Sequence, residues 1–451
     1  MQTPVTGAAS PPDLECDVLV IGGGPAGSTI GALLAERGRD VVVIEKSRHP
    51  RFHIGESLLP ANGSLFDALG VRAEVDRIGM QKWGVEFVSP DHDDKSFVEF
   101  AEAWDKSMPY AWQVRRSELD EILFRNAGRK GARTFEGCRA RRVAFDADGA
   151  DVEVEVEVGN PGAARQTWRA RYVVDASGRD TLLANHFGSK RKNPRHNSSA
   201  IYAHFSGAKR HEGQAEGNIT IFWFEHGWFW FIPLKDGVTS VGAVVWPYYM
   251  KSRRKPPREF LLDTIALCPP LAKRLEGAEL VAEPEATGNY SYECDRCQGD
   301  NYVMVGDAYA FIDPVFSSGV MLAMNGGFLA ADTVEACLRE PQRAAQALKA
   351  FDREVRRGPR EFSWFIYRVT NPIMRDMLMG PSNVFRVKEA LLSMLAGDIF
   401  GTTPIWRSIR ILKGIYYMLS VANLKRSWRA MRNRRFNITP VDSGDAVPGR
   451  L

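Results

Sequence analysis

Gly22-Gly23-Gly24-Pro25-Ala26-Gly27 places glycine at the first, third and sixth positions of a GxGxxG pattern. Glycines at that spacing permit a tight turn and let backbone amides approach a pyrophosphate, whose charge then sits at a helix N-terminus. The context fits such a site. Asp17-Val-Leu-Val-Ile21 ahead of it is an apolar run suited to a strand buried on both faces, and Ser28 to Arg37 behind it reads as a helix. A second strand, Val41 to Ile44, ends at Glu45, eighteen positions after Gly27, where a carboxylate can accept hydrogen bonds from a ribose. An incidental glycine turn in a doubly wound fold would not require strand, helix and acid to agree. We therefore read a dinucleotide site built from Gly22, Gly24, Pro25, Ala26, Gly27 and Glu45.

Three other groups of residues could do chemistry. Trp228 and Trp230, at period two in Trp-Phe-Trp-Phe-Ile-Pro, share one face of a strand and either fill a core or form a rigid wall. Ser317, Ser318 and Gly319 precede a long helical pattern, so their amides are open donors suited to negative charge; a plain N-cap role for Ser317 is compatible with that. Lys82 follows Gly55-Glu56-Ser57-Leu58-Leu59-Pro60. With an ordinary pKa near ~10.4 it is an ammonium that can donate hydrogen bonds, and desolvation would favour the free amine. Glu56 orients that lysine, shapes the passage to it, or caps a helix. His53 and His226 read as structural imidazoles. Cys294 and Cys297 form a lone CxxC without a second pair, and no zinc or other metal site is predicted.

Positioning these residues requires a discontinuous chain path. The opening βαβ unit, the strand at Tyr302 to Val305 and a helix over Ser318 to Leu338, with small residues for close packing, belong together. Segments at Val85 to Ser89, Phe97 to Ala101, Arg142 to Phe145 and Val152 to Val158, with the aromatic-rich stretch Ile201 to Trp246, suggest an inserted antiparallel sheet. Residues 16–85, 105–190 and 290–340 are assigned to the nucleotide domain, 86–104 and 195–289 to the sheet domain, and 341–436 to a helical C-terminal region. Residues 1–15 and 437–451 read as flexible tails.

The 451 residues are 44% hydrophobic and 25% charged, a soluble globular composition that excludes wholesale disorder and disulfide-dense scaffolds. A net charge of +4 is too balanced for a dedicated nucleic-acid binder. Six scattered cysteines, no basic-apolar leader and no long apolar run predict a cytoplasmic protein without a transmembrane segment. Local charge is less even. Between Asp398 and Asp442 there is no acidic residue, while Arg407, Arg410, Lys413, Lys425, Arg426, Arg429, Arg432, Arg434 and Arg435 are basic. Ile405, Ile409, Leu412, Tyr416 and Leu419 repeat at helical spacing opposite the first three cations. Such a surface can receive an acidic partner or an anionic membrane, or be a solvated face packed by its apolar stripe.

Tyr172-Val-Val-Asp175-Ala-Ser-Gly178-Arg179 and Val303-Met-Val-Gly306-Asp307 resemble the DASG and GD motifs of the flavoprotein monooxygenase superfamily, in the expected order over residues 16 to 340. The resemblance implies FAD, with Asp307 at its hydroxyls and an arginine of the Arg115-Arg116 pair, assigned as Arg115, near the flavin. Within that superfamily the chain resembles the flavin-dependent halogenases. Trp228 to Pro233 fits WxWxIP, Phe311 to Gly319 fits FxxPxxSxG, and GESLLP followed by Lys82 is closest to the branch acting on phenols and pyrroles. The segment around Lys82 keeps Gly84 and Phe87 but has Val88 and Ser89 where that branch has Trp-Gly.

This resemblance implies an α/β, glutathione-reductase-like FAD-binding Rossmann domain with an inserted antiparallel β-sheet substrate domain and a helical C-terminal region. It implies an FADH2-dependent halogenase: chloride or bromide held at Ser317, Ser318 and Gly319, Pro314 and Gly319 beside the flavin, and Trp228 and Trp230 screening it. Lys82, with Glu56, delivers electrophilic halogen to an electron-rich arene. A separate flavin reductase would supply FADH2, and some members act on substrates tethered to acidic carrier proteins. The competing readings are a single-component NAD(P)H-dependent aromatic hydroxylase and a catalytically silent flavin-binding protein.

Overall fold

A computed structural model describes residues 13–159, 162–288 and 291–439. Its first sheet grows from Leu14–Ile21, where Val18, Leu19 and Val20 have no exposed surface because layers cover both faces. This strand pairs in parallel with Val41–Glu45 on one side and with Ala164–Asp175 on the other. Arg133–Glu136 and Tyr302–Met304 extend the sheet in parallel at its two flanks. Helix Pro25–Glu36 packs against the long helix Gly319–Arg339, so a segment about three hundred residues downstream covers the opening βαβ unit.

Arg139–Phe145 and Ala150–Val156 belong to this first sheet, not to the inserted one, correcting the sequence reading. Ala164–Asp175 is long enough to serve two partners: residues 164–170 pair antiparallel with Ala150–Val156, and residues 168–175 pair in parallel with Leu14–Ile21. Val152 and Val154 point inward while their neighbours stay more exposed, the alternation of a sheet covered on one face only.

The second sheet runs in the order Glu279–Leu280, Ser199–Ser206, Thr239–Val245, Gly227–Pro233, Ile219–Phe224, Gly84–Val88 and Ser96–Glu99. It is antiparallel, as expected, except where Ile219–Phe224 lies parallel to Gly84–Val88. Its central strands are buried throughout, which explains their run of aromatics. Period two sorts them. Ile221, Trp223, Trp228, Trp230 and Ile232 face one core, shared with Phe362, Ile366, Leu391 and Ile409 of the C-terminal helices. Phe222, Phe224, Phe229 and Phe231 face another, closed by Phe260, Leu261 and Ile265.

The C-terminal region is helical. In Trp406–Ala422, Ile409, Leu412 and Tyr416 are buried, as is Ile405 just before it, whereas Leu419 is exposed and departs from the expected stripe. At the ends, the first strand begins at Leu14 and the last helix runs Leu424–Ile438, so residues 14–15 and 437–438 are structured and not tails. The remainder of the two assigned tails, 1–12 and 440–451, lies outside the described residues. Among the described residues no helix is long and apolar enough to cross a membrane.

Candidate active site

A cavity of about 810 Å³ opens between the two sheets, lined by the first glycine turn, the end of Val41–Glu45, the segment 51–57, Trp228, Trp230, Asp307 and the start of the long helix. Gly22 sits at φ +111, and a Cβ there would meet the Ala176 carbonyl at 2.3 Å, so only glycine permits the turn. Gly22, Gly24, Pro25 and Ala26 line the cavity; Gly27 does not. Gly24 occupies the N-cap position without a side-chain cap, which leaves the first amides of the helix directed at whatever enters.

The carboxylate of Glu45 accepts from the Gly23 amide at 2.9 Å and the Ser47 amide at 3.0 Å, holding its strand end against the turn. Arg51, which sequence reasoning missed, lines the same end of the cavity and donates to Asp120 at 3.0 Å. At Arg115 and Arg116 the assignment reverses. Arg115 turns to the outside and pairs with Asp236 at 2.5 Å, away from the cavity lining. Arg116 lines the cavity, its guanidinium held by Asp120 at 2.8 and 3.0 Å and by the Ile54 carbonyl at 3.0 Å. Arg115 is the last extended residue before helix Arg116–Arg129, so adjacent residues diverge, which spacing alone does not resolve. Asp175 works structurally, its carboxylate accepting from the Ser177 amide at 2.9 Å and the Leu183 amide at 2.7 Å.

Asp307 provides the test for a bound cofactor. Its carboxylate lines the cavity, and no hydrogen bond among the described residues reaches it. Desolvation pushes its pKa up to about 6, opposed by Arg116 and Arg179. A half-buried, desolvated acid in this condition favours hydroxyl donors, which the polyol chain of FAD carries. The open amides at Gly24, the glycine cradle and this unpartnered carboxylate all fit FAD.

At the far end, Pro314, Ser317 and Gly319 line the cavity. Ser317 adopts φ +56, a left-handed conformation that costs a non-glycine residue about 1 kcal/mol. The N-cap position belongs to Ser318, not Ser317. Ser318 stays out of the lining, and its buried Oγ has no partner among the described residues. The amides of Ser318 and Gly319 likewise donate no hydrogen bond among the described residues.

The two indoles stand side by side, ring centroids 6.2 Å apart, and both line the cavity. Trp230 donates to Ser240 at 3.1 Å and lies over Gly242, where a Cβ would come within 2.2 Å of the ring. Glu56 also faces the cavity; its Oε1 meets His204 Nε2 at 2.8 Å, while its buried Oε2 has no partner among the described residues. His204 was not foreseen. His53 lines the cavity too, pushed down to about 4 by burial.

Lys82 is 1% exposed and lies behind the cavity wall. It ends strand Met80–Lys82, paired with Ala111–Gln113, while Glu56 and Leu58 hydrogen-bond to Val114 and Trp112 along the same partner. This brings Nζ to 3.0 Å from Ser57 Oγ and 2.7 Å from the Leu58 carbonyl, with the Phe100 ring at 5.3 Å. Ser57 itself lines the cavity. No carboxylate pairs with Lys82 among the described residues, and burial alone pushes its pKa down to about 7. A neutral amine has two N–H donors for those two acceptors, leaving its lone pair free. Glu56 does not touch this amine; it holds His204 instead.

Residues 15–362 match the family described as FAD binding domain. Flavin-dependent halogenase gsfI of Penicillium aethiopicum is 34% identical over 375 residues, covering 76% of this chain and 69% of that protein. The 1H-pyrrole-2-carbonyl-(peptidyl-carrier protein) chlorinase of Pseudomonas fluorescens is 29% identical over 413 residues, 86% of this chain and 90% of the other. Among solved structures, the myxobacterial chondrochloren halogenase CndH superposes with a TM-score of 0.75 at 32% identity, covering 88% of this chain and 93% of that one. Glycine cradle, cavity and relatives agree: the chain belongs to the flavin-dependent halogenases, FAD-binding oxidoreductases.

Proposed function

We propose that the protein halogenates an electron-rich arene, a phenol, pyrrole or similar ring, by forming hypohalous acid in the FAD cavity and passing it to Lys82. The observation that carries this reading is a buried lysine that pairs with no carboxylate among the described residues, one serine hydroxyl away from the cavity. Reduced FAD, with dioxygen, would supply the oxidation of chloride or bromide there. Gly22, Gly24, Pro25 and Ala26 would hold its pyrophosphate, Glu45 its ribose, and Asp307 and Arg116 its polyol side. The free amides of Ser318 and Gly319 would hold the halide, a small anion suited to open backbone donors. Trp228 and Trp230 keep a ring-sized substrate off the flavin face. Past Ser57, the lone pair of Lys82 attacks the halogen of hypohalous acid: the oxygen–halogen bond breaks, the hydroxide leaves as water with a proton from the amine, and the haloamine gives its halogen to the arene as the ring proton restores the amine; as an ammonium, Lys82 instead donates to the hypohalous oxygen and polarises it. Oε2 of Glu56, without a partner among the described residues, is placed to take up and return a proton on the cavity side.

In this reading FADH2 comes from a separate flavin reductase. The substrate is free or tethered to an acidic carrier; the name of the pyrrole relative, which speaks of a peptidyl-carrier protein, supports the tethered form. A carrier would dock on the last helix. Arg426 is paired with Asp376 and Lys413 with Glu361, but Lys425, Arg429 and Arg432 are exposed and form no ion pair among the described residues. The test is turnover with FAD, a flavin reductase, NADH, oxygen and halide on monochlorodimedone or a simple phenol. Halogenated product from wild type and none from Lys82→Ala supports the proposal. Hydroxylated product from both refutes it in favour of a hydroxylase, and FAD binding without turnover refutes it in favour of a silent flavin protein.

A further inference from the structure

Behind the turn from Pro314 to Gly319 lies a buried polar cluster that the chemistry above does not use. Asp313, His196 and Ser198 are at most 4% exposed. Asp313 Oδ1 accepts from the Val315 amide at 3.2 Å and so closes the turn. Its Oδ2 receives Ser198 Oγ at 2.9 Å and His196 Nε2 at 2.8 Å. The other ring nitrogen, His196 Nδ1, faces Arg434 Nη2 at 3.3 Å, and the same guanidinium nitrogen donates to the Arg195 carbonyl at 2.8 Å. A guanidinium only donates. Nδ1 is therefore the acceptor, and the imidazole carries its proton on Nε2, where it donates to Asp313.

These residues are not a nucleophilic triad. Ser198 and Asp313 meet the same ring nitrogen, Ser198 Oγ at 3.4 Å, so no base remains to activate the hydroxyl. The rings of Tyr367 and Trp246, each with its centroid 6.0 Å from that of His196, pack around the cluster. The chain thus runs from the last helix, through an imidazole in one defined tautomer, to the carboxylate that shapes the turn carrying left-handed Ser317.

We propose that Arg434, His196 and Asp313 are positioning residues for halide: they hold the turn so that the Ser318 and Gly319 amides stay open to a small anion beside the cavity, and the last helix thereby sets halide affinity. This rests on the reading of that turn as the halide site, and the test separates the two. Four quantities are measured on the full chain: FAD affinity by fluorescence, the halide midpoint from the absorption change of bound oxidised FAD, halide KM against kcat, and the thermal midpoint. Gly319→Val, whose side chain would enter open space at the turn, probes the site itself. Asp313→Asn should raise the halide midpoint and KM about tenfold, and Arg434→Met about threefold, with FAD affinity changed by less than about threefold. His196→Gln keeps a donor to Asp313 but cuts the link to Arg434, so adding Arg434→Met to it should change nothing further. If Gly319→Val shifts the halide midpoint and neither Asp313→Asn nor Arg434→Met does, the positioning role is refuted. A parallel fall of FAD affinity, halide affinity and thermal midpoint also refutes it, leaving a packing role. If Gly319→Val leaves halide binding untouched, the assignment of the turn itself falls.

Discussion

Lys82→Met removes the titrating group while keeping a side chain of similar length, and the structure sets the size of the effect. Burial holds the Lys82 pKa at about 7 against 10.5 for the ordinary group. Between those values the unfolded chain binds a proton that the folded one does not, so stability rises with pH across that window. Below pH 7 both states carry the charge and the benefit is gone. At about 1.4 kcal/mol per pH unit, wild type should gain about 3 kcal/mol between pH 6 and pH 9 relative to Lys82→Met. Urea unfolding of both proteins at several pH values measures that difference, because all other titrations cancel. The same equilibrium enters catalysis. If the free amine is the working form, wild-type halogenation at saturating FADH2 falls at pH 6 to about a tenth of its alkaline plateau. Stability curves that stay parallel from pH 6 to pH 9 would refute the reasoning, since they would mean an ammonium that is solvated or paired.

Further perturbations address other parts of the molecule. Asp307 has a pKa near 6, and its ionised form is the better acceptor; FAD affinity should weaken as pH falls below 6, and Asp307→Asn should bind more weakly with a flat pH profile, both readable by fluorescence titration. Gly242→Ala forces a methyl against Trp230 and should cost about 1–3 kcal/mol in unfolding experiments, while Trp228→Ala and Trp230→Ala should divert oxidant to peroxide or hydroxylated product, seen by comparing oxygen consumed with halogenated product. Lys425→Glu with Arg429→Glu should weaken binding of an acidic carrier protein at low salt, as measured by calorimetry; unchanged affinity removes the last helix as the docking face.

What the residues disclosed in advance follows from locality. The glycine turn, Glu45 and the strands around them are encoded within about thirty residues, and a GxGxxG between an apolar strand and a helix has few other uses. Trp228 and Trp230 share a face because side chains alternate along any strand. What stayed hidden depends on partners far along the chain. Arg115 and Arg116 are adjacent, and the choice between them is made by Asp236 and by Asp120 with Ile54. Glu56 was read as orienting the lysine, shaping the passage or capping a helix; it lines the cavity, and the partner of its carboxylate, His204, is almost one hundred and fifty residues away. The strands at 139–145 and 150–156 join the first sheet only because Ala164–Asp175 is long enough to bind on both sides. The pull on Lys82 comes from its burial beneath segments brought together by the fold, which no motif encodes.

The cavity takes its walls from Ile21 through Ala323, and that span orders events during synthesis. No stretch of nascent chain short of the long helix can enclose the cofactor, so capture waits until nearly three quarters of the polypeptide has left the ribosome. At about 5–20 residues per second, the emerging glycine turn is without its floor and far wall for tens of seconds.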